Sequence, residues 1–125
     1  QPQVPCLLEG TIRQNILFGI EEGCADEQTM QTALIASQLA VDMDNKASTL
    51  HVLREQTQVG KKGGELSGGQ RARTALARAI YAALMGTEVV LLDDPLAAVD
   101  NELAEAAWKA AVLTAMHAAT RIVVV

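Results

Sequence analysis

A chain of 125 residues has the length of about one domain, which argues against two complete ones. Half of the residues are apolar and 20% are charged, the balance of a chain that packs a core and does not stay disordered. Ten Lys and Arg against fifteen Asp and Glu give a net charge of −5, and Phe18, Tyr81 and Trp108 are the only aromatics, so the chain offers nucleic acid neither an electrostatic footprint nor a stacking platform. Cys6 and Cys24 are too few for a disulfide framework and no nearby His completes a zinc set; they read as reduced thiols. No apolar run approaches the ~18–20 residues of a membrane span, and no signal-peptide pattern opens the chain.

In chain order, residues 1–10 read as an extended, Pro-containing loop, and 11–19 as a short helix carrying Ile12, Ile16, Leu17 and Phe18, stopped by Gly19. After an acidic turn, Asp26 caps a predicted helix of about four turns, on which Met30, Ala33, Leu34, Ser37 and Val41 recur at helical spacing. Residues 42–54 fit no single pattern, and 55–65, with three glycines and two lysines, read as loop. Ser67 opens a second helix; Gln70 completes a capping-box pattern, and Ala75, Leu76, Ala79, Ile80, Ala83 and Leu84 form its apolar stripe up to Gly86. The run from Glu88 to Leu92 lacks alternation and predicts a parallel strand buried on both faces, ending in Asp93, Asp94 and Pro95. A third helix is expected from about Asn101 to Ala115, with Asp100 as N-cap and Leu103, Ala106, Ala107, Ala110 and Leu113 as its stripe, before a terminal strand at Ile122–Val125. Helix, strand, helix, strand is the pattern of an open α/β sheet.

Two segments carry chemistry. Leu66-Ser67-Gly68-Gly69-Gln70 puts two glycines in the first turn of a helix, where amides lack intrahelical partners and the dipole is positive, so phosphate oxygens can approach them and the Ser67 hydroxyl. The same letters also describe a plain capping box. Val89-Val90-Leu91-Leu92-Asp93-Asp94 delivers two carboxylates to the C-terminal edge of a strand, the edge where open α/β sheets bind ligands. Hard oxygen ligands there suit Mg²⁺ held together with substrate phosphates, with Asp93 on the metal and Asp94 placed to orient or deprotonate a water. A bare strand-ending turn is the alternative for Asp-Asp-Pro taken alone, and the glycine turn one helix earlier shifts the balance away from it.

These residues resemble part of the nucleotide-binding domain of an ABC transporter. LSGGQRARTALARAIY (66–81) resembles the signature motif and its helix, VVLLDD (89–94) the Walker B strand, PLAAVD (95–100) the D-loop, and TQVGKKG (57–63) the exporter X-loop. Gln3 stands where the Q-loop glutamine falls, ahead of the exporter-like TIRQNILFG (11–19). The Asp-Asp pair and the DDPLAAVD wording look most like the first nucleotide-binding domain of the multidrug-resistance-associated, or C, subfamily.

The resemblance implies a P-loop NTPase-type α/β fragment. Residues 1–66 would hold the Q-loop, helical subdomain and X-loop, and 67–125 the signature helix, Walker B, D-loop and the following helix and strand. It implies ATP and Mg²⁺ as cofactors, with Gln3, Leu66, Ser67, Gly68, Gly69, Gln70 and Asp100 at nucleotide, Asp93 and Gln3 at the metal, and Asp94 as the catalytic carboxylate. Efficient hydrolysing domains of the family carry Glu at the last of these, so a site containing Asp94 is expected to bind nucleotide well and turn it over slowly. Implied partners are a second nucleotide-binding domain, head to tail, so that Ser67, Gly68 and Gly69 serve the partner's ATP, and transmembrane domains met through the Q-loop and X-loop. The implied location is the cytosolic face of a membrane transporter, with no nucleic acid involved.

No G-x-x-x-x-G-K-[ST] occurs in the 125 residues, and His51 and His117 are not in the context of the family's switch histidine. Both histidines read as ordinary solvated or helix-side residues. The missing Met at the start and the apolar end at Ile122–Val125 are expected to mark an excerpt, one that binds ATP weakly and hydrolyses none by itself. Lys61 and Lys62, like Arg71, Arg73 and Arg78, divide between interface contacts and a solvated face. A non-transport ABC ATPase and a catalytically inert ABC-like regulatory module are the competing readings.

Overall fold

The computed structural model describes residues 5–44, 55–60 and 66–125. Gln3, His51, Lys61 and Lys62 lie outside the described residues. In chain order the elements are β1 (Gly10–Thr11), α1 (Ile12–Leu17), a 3₁₀ turn (Glu22–Cys24), α2 (Glu27–Ala36), α3 (Leu39–Asp44), β2 (Gln58–Val59), α4 (Gly68–Leu84), β3 (Val89–Asp93), α5 (Asn101–Ala107), a π-helical continuation (Trp108–Ala115) and β4 (Thr120–Val124). β1 and β2 pair antiparallel, with Gly10 opposite Val59. β3 and β4 pair parallel, from Val89 opposite Thr120 to Asp93 opposite Val124. Helices and a parallel pair joined by a helical crossover are the expected α/β pattern.

The helix starts follow their caps. Thr11 and Gln14 close a capping box on α1, Asp26 accepts from the Thr29 amide at 2.9 Å, and Asp100 accepts from the Leu103 amide at 3.2 Å. α1 and α2 pack on α4, and Ile12, Ile16, Met30, Leu34, Leu76, Ile80 and Tyr81 are almost wholly buried between them. Polar groups pin this helical unit. The Tyr81 hydroxyl accepts from the Asp26 amide at 3.0 Å. Buried Arg13 donates to Glu22 at 2.6 Å, to Glu55 at 2.9 Å and to Glu27, and these bonds, that to Glu27 above all, hold its pKa above the ordinary arginine value. Arg78 donates to the Asn15 carbonyl at 2.9 Å and the Cys6 carbonyl at 3.0 Å and lies over the Phe18 ring. Arg78 therefore makes contacts within the chain in place of a purely solvated position.

Four expectations are corrected. The four-turn helix breaks after Ala36, because Gln38 takes a left-handed conformation (φ 66°); α3 restarts at Leu39 and leaves Val41 half exposed. The stripe of α4 is rotated. Arg73, Leu76, Ala77, Ile80 and Tyr81 are buried, while Ala75, Ala79 and Ala83 are half-buried and Leu84 is exposed, since α1 and α2 cover one side only. β3 alternates: Val90 and Leu92 are buried under α4, but Val89 is 52% and Leu91 72% exposed, so the strand has one covered face among the described residues. Beyond Ala107, the wider π turn moves burial to Ala111, Val112 and Met116 and turns Leu113 outward, since i→i+5 bonding puts more residues into each turn than an α-helix does and so shifts the period.

Candidate functional site

The local sequence builds the glycine turn in two steps. Ser67 is extended (φ −64°, ψ 163°), so the chain enters α4 from outside the helical path. Its Oγ then accepts from the Gln70 amide at 3.1 Å while the Gln70 side-chain carbonyl accepts from the Ser67 amide at 3.0 Å. That reciprocal box is present as the sequence suggested, and it leaves the first-turn amides of Gly68 and Gly69 without acceptors inside the helix. Ser67 and Gly68 are exposed, Gly69 and Gln70 partly so, and buried Leu66 anchors the chain just before them. Behind the turn stand the seventeen residues of α4, so the positive end of a long helix faces outward here.

The segment that follows the carboxylate-bearing strand end lies against this turn. A Cβ on Gly69 would stand 3.1 Å from the Ala98 carbonyl oxygen and 3.9 Å from the Val99 Cα, and one on Gly68 would stand 3.6 Å from the Ala98 Cβ. Glycine at 69 thus lets α4 begin on top of the segment that follows β3. That segment is a tight turn in which the Asp94 amide donates to the Val124 carbonyl at 2.7 Å and the Val99 amide to the Leu96 carbonyl at 3.0 Å. Asp94 holds φ 42°, the left-handed region that Asp and Asn tolerate better than most side chains. Strained backbone of this kind collects at functional sites.

Asp93 and Asp94 are both exposed at the strand end, on the rim of a cleft of about 520 Å³ that α4 and β3 line with Leu76, Ala79, Val90 and Leu91. Among the described residues no three His, Cys, Asp or Glu side chains gather as a metal cluster. Two adjacent carboxylates on a rim still fit a hard cation that draws its other ligands from a phosphate and water. Asp100 is exposed and caps α5, which accounts for an Asp there without any ligand. The structure brings the glycine turn, Asp93, Asp94 and Asp100 into one region and says nothing of Gln3.

Sequence reasoning missed Asp42. Its carboxylate receives both Arg73 terminal nitrogens, at 3.0 and 2.9 Å, and the Gln70 side-chain amide at 2.9 Å. It falls in the stretch 42–54 where no period was readable, so only a fold could join it to residues some thirty positions on.

With this geometry in view, the comparisons with known proteins agree. The family profile described as ABC transporter matches residues 2–97. The chain is 44% identical over 103 residues, 82% of its length, to "Metal resistance protein YCF1" of Saccharomyces cerevisiae. It is 47% identical over 102 residues (82% of its length) to "ABC transporter C family member 13" of Arabidopsis thaliana, and 42% identical over 120 residues (96%) to "ATP-binding cassette sub-family C member 10" of Homo sapiens. It spans 6–7% of the length of these three relatives. Among the described residues no helix is long and apolar enough to cross a membrane. A 17-residue helix opened by a capped glycine turn, set on the segment that follows a carboxylate-ended parallel strand, and a family match over most of its length together show that the chain belongs to the ABC transporter family.

Proposed function

We propose that the chain is part of the ATP-binding and hydrolysing engine of a membrane exporter of the multidrug-resistance-associated type. The observation that carries the reading is the exposed turn Ser67-Gly68-Gly69 at the positive end of α4, resting on Ala98 in the turn that follows Asp93 and Asp94. Ser67, Gly68 and Gly69 cover the triphosphate of an ATP held by a second nucleotide-binding domain, packed head to tail against this one. Leu66 and Gln70 hold that turn in shape, and Asp100 sits at the domain interface. Asp93, with Gln3, holds Mg²⁺ on the ATP of this domain's own site, where the ion offsets phosphate charge. Asp94 orients the attacking water and accepts its proton, from a carboxylate set back by one methylene relative to Glu. Transmembrane domains are the further partners, met through the Q-loop and X-loop, and the engine works at the cytosolic face. An acidic chain with three aromatics gives no support to a nucleic-acid partner.

The test is Gly68→Asp in the full-length protein in lipid. A carboxylate in the first turn favours the helix dipole, and a Cβ at 68 meets only ordinary van der Waals contact, so the fold tolerates it. The same charge repels a phosphate. ATP turnover is expected to fall by roughly 10²-fold, the scale seen when a positioned group is displaced by about 1 Å, with an unchanged unfolding temperature. Turnover at the wild-type level in a folded variant refutes the phosphate-facing role.

A further inference from the structure

The glycine turn has two supports. One is the Ala98 backbone beneath Gly69; the other is a polar clamp from α3 that the proposed chemistry does not use. Arg73, 5% exposed, donates through both terminal nitrogens to Asp42, from one of them also to the Gln38 carbonyl at 2.9 Å, and through Nε to the Gly69 carbonyl at 3.2 Å. Gln70 completes the circuit: its side-chain carbonyl accepts from the Ser67 amide at 3.0 Å, and its side-chain amide donates to Asp42 at 2.9 Å. One carboxylate on α3 therefore fixes the side chains that hold Ser67 and Gly69.

We propose that Asp42, paired with Arg73, is a positioning residue for the Ser67-Gly68-Gly69 turn, setting its place relative to a bound phosphate through Gln70 and the Gly69 carbonyl. This rests on the function proposed above. The arrangement is more specific than packing requires. A bidentate guanidinium–carboxylate pair fixes both distance and plane, and the pair is shielded from solvent, with the Asp42 side chain 19% exposed. It also reaches the left-handed break at Gln38, where α3 leaves the line of α2, since the Gln38 carbonyl at the start of α3 is a further Arg73 acceptor. A shift of α3 as a body thus reaches the turn through two bonded paths, one by Gln70 and one by Arg73.

The experiment uses the full-length protein in lipid, with kcat and KM for ATP read separately and thermal unfolding followed alongside. Asp42→Leu together with Arg73→Met removes both buried charges at once, so no unpaired ion is left to unfold the domain. The double variant is expected to unfold cooperatively at the wild-type temperature, to keep KM within about twofold, and to lose roughly tenfold in kcat, as a turn displaced by a few tenths of an ångström would. Asp42→Glu, which keeps the charge pair with a longer arm, is expected to lose less. Wild-type kcat in the stable double variant overturns the proposal, and so does a loss of kcat that only tracks a lowered unfolding temperature. A wild-type protein without any ATP turnover sinks the functional reading itself, and the positioning role with it.

Discussion

Asp94 is where conformation and chemistry ask for different residues. Its φ of 42° lies in the left-handed region, which costs an ordinary side chain about 1–2 kcal/mol and Asp less, because its short polar side chain is tolerated there. Asp94→Glu lengthens the side chain by one bond of about 1.5 Å. If the carboxylate is now set back from the water by that length, the deficit at about 10² per ångström of misplacement is up to roughly 10³-fold, and the substitution recovers up to that much in the rate of the site that contains it. The same change gives up part of the Asp advantage at φ 42°, so stability is expected to fall by up to about 1 kcal/mol. Rate and stability move in opposite directions, which separates this account from general repair of the fold. Asp94→Gly is the companion: it removes the side chain's steric conflict, leaves stability within about 1 kcal/mol of wild type, and cannot speed hydrolysis, having no carboxylate. The assay is single-turnover hydrolysis of nucleotide occluded at that site in the full-length protein, with thermal unfolding measured on the same preparations. An unchanged or slower rate in Asp94→Glu refutes the reasoning, and a faster rate in Asp94→Gly refutes the role of the carboxylate.

Two further outcomes follow from the packing. Tyr81→Phe keeps the buried ring but strands the Asp26 amide that its hydroxyl accepts from at 3.0 Å, so denaturant unfolding of the domain should show a loss of about 1–2 kcal/mol; a loss below about 0.3 kcal/mol contradicts that bond. The Asp26 carboxyl is held below its ordinary pKa of 3.8 by bonds from the Thr29 hydroxyl and amide. Its contribution to stability is therefore complete above that ordinary value and is lost as pH falls through the lowered one. Asp26→Asn keeps a cap at the position and should flatten that part of the acid limb; an acid limb identical to wild type contradicts the assignment.

Local rules made much of this chain legible before any fold was known. Caps at Asp26, Ser67 and Asp100 were readable because the signal and the amide it satisfies lie within three residues of each other. The glycine turn and the paired carboxylates were readable for the same reason: each is a short string whose chemistry is complete in itself. Which faces are buried was not readable. Periodicity marks an apolar stripe without saying what covers it, so α4 rotated toward α1 and α2, and β3 kept an open face. A π turn changes the period in midcourse, which no fixed spacing anticipates at Leu113.

By itself, then, the sequence determined the helix starts at Asp26, Ser67 and Asp100, the capped glycine turn and the acidic strand end, because those depend on neighbours along the chain. Only the tertiary structure decided that Gly69 must be small against Ala98, that Asp94 bends left-handed beneath Val124, and that Asp42 reaches Gln70 and Arg73 across some thirty positions. The physical reason is the same in each case. A close approach, a strained dihedral angle and a buried ion pair are all set by the partner that packing supplies, and that partner is far away in sequence.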